Sequence, residues 1–154
     1  MLREKFNEAL KEAMRAKDVR RVGTLRLINS ALKDKDIEAR GLGKGPLGDE
    51  EILALLQKMI KQRNDSIEAY EKAGRADLVA QEQEEKQIIE AYLPQQMGPD
   101  EVKAAVEAAI ASTGAASVKD MGKVMGELKA KFAGRMDFSK ANGVVKEQLS
   151  GAGG

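Results

Sequence analysis

The sequence predicts an all-α protein: a four-helix N-terminal unit over residues 1–98, a three-helix unit over 99–150, and a disordered tail at 151–154. Three observations carry this expectation. Aromatic residues make up only 3% of the chain, so the core must come from Leu, Ile, Val, Met and Ala, a set that favours helices packed on helices. Apolar positions recur at helical spacing in one segment after another, and strand-like alternation is hard to find. Pro94 and Pro99 lie five residues apart, which stops one helix and starts the next.

The first helix is expected from Leu2 to Ala16, with Leu2, Phe6, Ala9, Leu10, Ala13 and Met14 on one face. A second, from Val19 to Ala39, uses Val22, Leu25, Ile28, Leu32 and Ile37. Residues 41–48, rich in Gly and holding Pro46, read as a loop. The third helix opens at Asp49-Glu50-Glu51, acids that suit the positive end of a helix dipole, and ends near Ala73-Gly74. A fourth spans Ala76 to Leu93, and its polar middle, Gln81 to Gln87, predicts partial exposure. Beyond Pro99 come helices over Pro99–Ser112, from Ser117 onward, and over Phe138–Leu149. Ser117 and Asp120 have the spacing of a capping-box variant.

Composition narrows the chemistry. The chain has neither cysteine nor histidine, which removes thiol chemistry, disulfides, the usual imidazole base and the commonest transition-metal ligand. No apolar run reaches the length of a membrane span, and Met1-Leu2-Arg3-Glu4-Lys5 leads into a charged helix and not a signal peptide. A soluble, cytoplasmic protein is expected, without metal or cofactor. The net charge of +1 argues against indiscriminate nucleic-acid binding, so no DNA partner and no membrane partner are expected. Charge is nevertheless uneven. Residues 1–35 hold ten Lys/Arg against five acids, 76–101 hold seven acids against Lys86, and 115–154 hold seven basic residues against four acidic.

Several motifs have bland explanations. Gly43-Lys-Gly45-Pro-Leu-Gly48 has the form of a dinucleotide-binding loop, but a helix precedes it where a strand is needed, and three acids follow. It reads as a surface loop. Glu82, Glu84, Glu85 and Glu90 lack a second carboxylate cluster and read as an exposed acidic face. Arg20, Arg21 and Arg26 either grip phosphate or pair with the acidic helices of the same chain. No serine or threonine has a base placed to activate it.

The segment Asp120-Met-Gly-Lys-Val-Met-Gly126 is the most informative. Glycine inside a helix costs roughly 1 kcal/mol relative to alanine, and here there are two. At about 100° per residue, Met121, Val124, Met125, Leu128 and Phe132 form one apolar stripe. Gly122 and Gly126 fall in another arc, with Lys119, Lys123 and Lys129. Such a thinned, cationic face suits close packing by a second helix, or the approach of an RNA or protein partner.

Taken together, Gln62-Arg-Asn-Asp-Ser-Ile-Glu-Ala-Tyr-Glu-Lys-Ala-Gly-Arg75, Glu90-Ala-Tyr-Leu-Pro-Gln-Gln-Met97 and Lys119-Asp-Met-Gly-Lys-Val-Met-Gly126 closely resemble the YqeY-like proteins, as does Arg21-Val-Gly-Thr-Leu-Arg-Leu27. The likeness covers almost the whole chain. The second half of that family is similar to the tail of the B subunit of the tRNA-dependent Asp/Glu amidotransferase (GatB/YqeY), a helical module that contacts tRNA. The resemblance therefore implies a non-catalytic tRNA-binding accessory module, whose partner is tRNA or an amidotransferase–tRNA assembly. Carried over by position, Gly122, Lys123 and Gly126 match the tail's core, and Gly134-Arg135 its later Gly-Lys/Arg. Asn142 matches an Asn of the last helix, while Gly143 departs from the pattern. Lys119, Lys123, Lys129 and Arg135 are the expected phosphate contacts, with Gly122 and Gly126 permitting approach. One alternative is a protein–protein interaction module. Another is the family's label of carbon–nitrogen ligase with glutamine as amido-N-donor, for which the chain shows neither a glutaminase nucleophile nor an ATP site.

Overall fold

The computed structural model describes residues 1–153, and among them every regular element is helical. The helices are α1 (Leu2–Arg15), α2 (Val19–Gly41), α3 (Asp49–Lys72), α4 (Ala76–Glu90), α5 (Pro99–Thr113), α6 (Met121–Phe132) and α7 (Phe138–Gly153), with a 3-10 turn at Val118–Asp120 leading into α6. The all-α expectation holds. The chain divides into two compact units, Met1–Pro94 and Gln95–Gly154.

In the first unit α3 packs on α4 and α1 on α2, and α2 in turn lies against α3 and α4. Phe6, Leu25, Ile28, Ile52, Leu56 and Ile89 are fully enclosed there. Fully burying each such side chain stabilises the fold by about 1.5–3 kcal/mol relative to exposure. Asp18 caps α2, accepting a hydrogen bond from the Arg21 amide at 3.2 Å. Helix α4 stops at Glu90 and not at Leu93, because Tyr92 and Leu93 leave the helix to cover the core. The Tyr92 ring meets Phe6 edge-on, centroids 5.1 Å apart. Met14 and Ile37, expected on apolar faces, are instead 52% and 59% exposed. At about 100° per residue, Met14 lies about 100° round α1 from the buried Ala13 and Ile37 about 140° round α2 from the buried Leu32, so each falls off the inner row.

The polar middle of α4 is less exposed than its composition suggests. Glu85 is buried at 9% exposure, and its carboxylate lies 3.5 Å from Nε of Arg63 on α3. Burial, followed by the Glu85 charge, pushes the neighbouring Glu82 carboxyl above its usual range. The acidic run is therefore an interior ion pair beside the half-buried Glu82 and the exposed Glu84 and Glu90, and not one solvated face. The physical reason is the α3–α4 hairpin, which brings a cation against the carboxylates.

In the second unit Val106, Val124, Leu128, Met136, Ala141, Val145 and Leu149 form a separate core. Pro99 occupies the first turn of α5, and Gly114 ends that helix with a left-handed φ of +68°. Residues 95–98 belong to this unit. The Met97 amide donates to the Arg135 carbonyl at 2.9 Å, and the Gln96 side chain donates to the Gly134 carbonyl. Helix α7 passes through Gly143 and keeps helical backbone to Gly153, beyond the Leu149 end and into the tail expected to be disordered. The turns packed around Leu149 already supply the nucleus, so each added residue gains a backbone hydrogen bond without a new one. Gly154 lies outside the described residues.

Candidate nucleic-acid interface

Asp120 fixes the entrance to α6. Its carboxylate accepts from the Ala116 amide at 3.0 Å and the Ser117 amide at 3.3 Å. These bonds, with a smaller contribution from Lys123, hold its acid below the usual carboxylate range. The charge so retained sits at the positive end of the helix dipole.

The apolar stripe of α6 faces its own unit as expected. Val124 and Leu128 are fully buried, and Met121, Met125 and Phe132 pack around them. The opposite arc is open. Gly122 and Gly126 are exposed, and a Cβ placed on either would meet no atom within 4 Å. Among the described residues, the close packing of a second helix, which small residues four apart would permit, is therefore absent from this face. The glycines leave a smooth strip of accessible backbone.

The cations around the strip differ in how far they are engaged. Lys119, on the 3-10 turn, and Lys123 and Lys129, on α6, are exposed and form no ion pair among the described residues. Lys131 is held by Glu127 at 3.1 Å, and Glu127 also accepts from Ser112 Oγ at 2.8 Å. The Ser112 bond first, then Lys131, keep the Glu127 acid below its usual range. Arg135 is engaged too. Its Nε donates to the Gln95 carbonyl at 3.0 Å and its Nη2 lies 3.8 Å from Glu101. The structure thus groups Lys119, Gly122, Lys123, Gly126 and Lys129 around α6 and places Arg135 in the α6–α7 turn as a strut for residues 95–97. Asn142 and Gly143 are exposed on α7.

The other cationic candidates lie in the first unit. Arg20 pairs with Glu84 at 3.0 Å, one of the acidic-helix partners that the sequence offered it. Arg21 and Arg26 form no ion pair among the described residues. Sequence reasoning missed two long-range clusters, Arg3–Asp36–Leu47 and Arg63–Glu85, because neither has a local spacing that announces it. Among the described residues no helix is long and apolar enough to cross a membrane, and no group of carboxylates converges as a metal site would require.

Comparison with known proteins shows the family. The family model described as Yqey-like protein matches residues 3–149. Among curated proteins, the chain is 44% identical over 86 residues to "Altered inheritance of mitochondria protein 41, mitochondrial" of Lachancea thermotolerans, covering 56% of this chain and 44% of that protein. It is 39% identical over 88 residues to the protein of the same name from Eremothecium gossypii (57% and 46%) and 41% identical over 87 residues to that of Saccharomyces cerevisiae (56% and 45%). The chain spans less than half the length of these relatives. Their names place them in mitochondria, which overturns the expectation of a cytoplasmic protein. Freedom from cysteine and a charge near zero suit any reducing interior, so composition had no power to choose among such compartments.

Proposed function

The chain belongs to the Yqey-like protein family, and from that membership we propose that it is a non-catalytic accessory module that grips tRNA, or a complex of tRNA with an amidotransferase, through the open face of α6. One observation carries the reading: the two glycines of α6 border empty space, and unpaired cations flank them. Two helix-interior glycines tax the fold by roughly 1 kcal/mol each and relieve no crowding inside it. Their use lies outside the unit, where a backbone strip lets a bulky partner come within reach of the amides and lysines. Phosphate esters match such a rim, because Lys119, Lys123 and Lys129 each offer a rotatable ammonium that no carboxylate holds in an ion pair among the described residues. Arg135 takes part by holding residues 95–97 and the turn after α6 in place.

Filter-binding titration of tRNA across a salt series tests this function. Affinity falls as salt rises, and Lys123→Ala lowers the slope of log K against log salt by about one phosphate contact, or ~0.7–0.9. Absence of binding at low salt overturns the proposal. The same smooth face also suits a helix of a partner protein. In that case capture of the partner survives ribonuclease and is blocked by Gly122→Leu.

A further inference from the structure

The loop between α2 and α3 is anchored more firmly than a glycine-rich surface loop requires. Asp36 of α2 accepts from the Leu47 amide at 3.0 Å, and Arg3 of α1 donates to the Leu47 carbonyl at 2.9 Å. Arg3 also holds Asp36 through two bonds of 2.7 Å. Both backbone groups of Leu47 are thus fixed by side chains from two helices. At the other end of the loop Gly43 turns with φ +75°, and the Gly43 and Lys44 amides cap the last turn of α2 on Arg40 and Ala39 carbonyls. Between these anchors the loop and α2 border an open concave space of about 410 Å³.

Three cations line this space, Lys33, Arg40 and Lys44, and none of them forms an ion pair among the described residues. The one carboxylate there, Asp36, is already matched by Arg3. The dipole of α2 accounts for a cation in its last turn, but not for three around one hollow. Ile37, 59% exposed, and Pro46 add apolar surface beside them. A merely solvating surface needs no such pairing of uncompensated positive charge with apolar contact.

We propose that this hollow is a binding site for a phosphate ester, with Lys33, Arg40 and Lys44 gathering the phosphate and Ile37 and Pro46 contacting the organic group that bears it. The phosphate comes either from a free nucleotide or from a polynucleotide backbone. The site lies in the N-terminal unit and does not depend on the α6 face, so either proposal can fail alone.

The full chain, labelled with ¹⁵N, is titrated at low salt with inorganic pyrophosphate, with AMP and with unfractionated tRNA, following backbone amides. Saturable AMP shifts at Lys44, Gly45 and Leu47 are expected, weakened tenfold or more in Lys33→Ala/Lys44→Ala and unchanged in Lys123→Ala. Both substituted lysines are exposed, so circular dichroism should match wild type. Broadening of residues 33–47 by tRNA, with no saturable response to AMP or pyrophosphate, assigns the phosphate to a polynucleotide and supports the site. If none of the three probes perturbs residues 33–47, or the double variant responds as wild type does, the proposal is overturned.

Discussion

Arg3 and Asp36, thirty-three positions apart, face each other side-on, with Nη1 and Nη2 of the guanidinium each 2.7 Å from one carboxylate oxygen. This fork-to-fork geometry ties α1 to α2 and, through Leu47, ties both to the loop before α3. It is the most completely bonded ionic cluster in the N-terminal unit. The Arg3 bond first, then the Leu47 amide, lower the Asp36 acid from 3.8 to about 2.

That depression has a defined pH signature. A carboxyl whose folded pKa lies below its unfolded value contributes stability that is fully present above the unfolded value and lost as pH falls through the folded one. The Asp36 contribution is therefore intact above about pH 5, falls as pH drops through about 2, and is gone only below about pH 1. With the partly solvated pair discounted for screening, Asp36→Asn is expected to cost about 1–2 kcal/mol at pH 7. Urea midpoints of wild type and variant should differ at pH 7 and draw together as pH falls through about 2. A gap as wide at pH 2 as at pH 7 would show that the loss is one of packing and not of charge.

A different response is expected at Arg63 and Glu85, which are 13% and 11% exposed at their side chains. Arg63 also donates to the Met59 carbonyl at 3.1 Å. Removing one charge strands the other, so Arg63→Met should cost about 3 kcal/mol in thermal or urea unfolding. Arg63→Met/Glu85→Leu replaces the pair by apolar groups and should recover most of that loss. Glu82→Gln should stabilise at pH 7, since burial opposes the ionised form there, and the gain should vanish at pH 3, where wild type is protonated as well.

The helices were legible because their cause is local. The 3.6-residue period of Phe6, Ala9 and Ala13, or of Val124 and Leu128, states which face is buried, and the structure buries it. Pro99 likewise marked the start of α5. Arg3–Asp36 and Arg63–Glu85 were not legible, because each depends on which helices pack together and in what register. The glycines of α6 stand between the two cases. Their arc followed from the period, but whether a second helix filled it was a question of tertiary neighbours, and none is there.

Arg135 separates support of the fold from contact with a ligand. Its bond to the Gln95 carbonyl and its approach to Glu101 anchor the segment before α5 to the turn after α6. The group is about one-third exposed, so the ion pair itself contributes little. Arg135→Gln is expected to cost about 0.5–1.5 kcal/mol through the lost hydrogen bond, and to raise hydrogen exchange at the Met97 amide. If exchange at Met97 is unchanged, Arg135 is not the strut described above.

The α6 glycines offer the sharpest contrast between stability and function. A Cβ at Gly122 or Gly126 meets nothing, and both positions lie within a regular helix. Alanine restricts the unfolded chain and favours the helix, so Gly122→Ala and Gly126→Ala should each stabilise the protein by about 0.5–1 kcal/mol, read as an upward shift in Tm. Bulk at the same positions fills the strip that a partner would approach. Gly122→Leu should therefore melt no lower than wild type and yet bind tRNA at least tenfold more weakly, while Ala104→Leu, exposed on α5 and off the α6 strip, leaves affinity closer to wild type. Destabilisation by Gly122→Ala would mean that the helix needs glycine for its own backbone. Stabilisation with undiminished tRNA affinity would move the contact away from this face and leave the lysines, not the glycines, to explain any binding that remains.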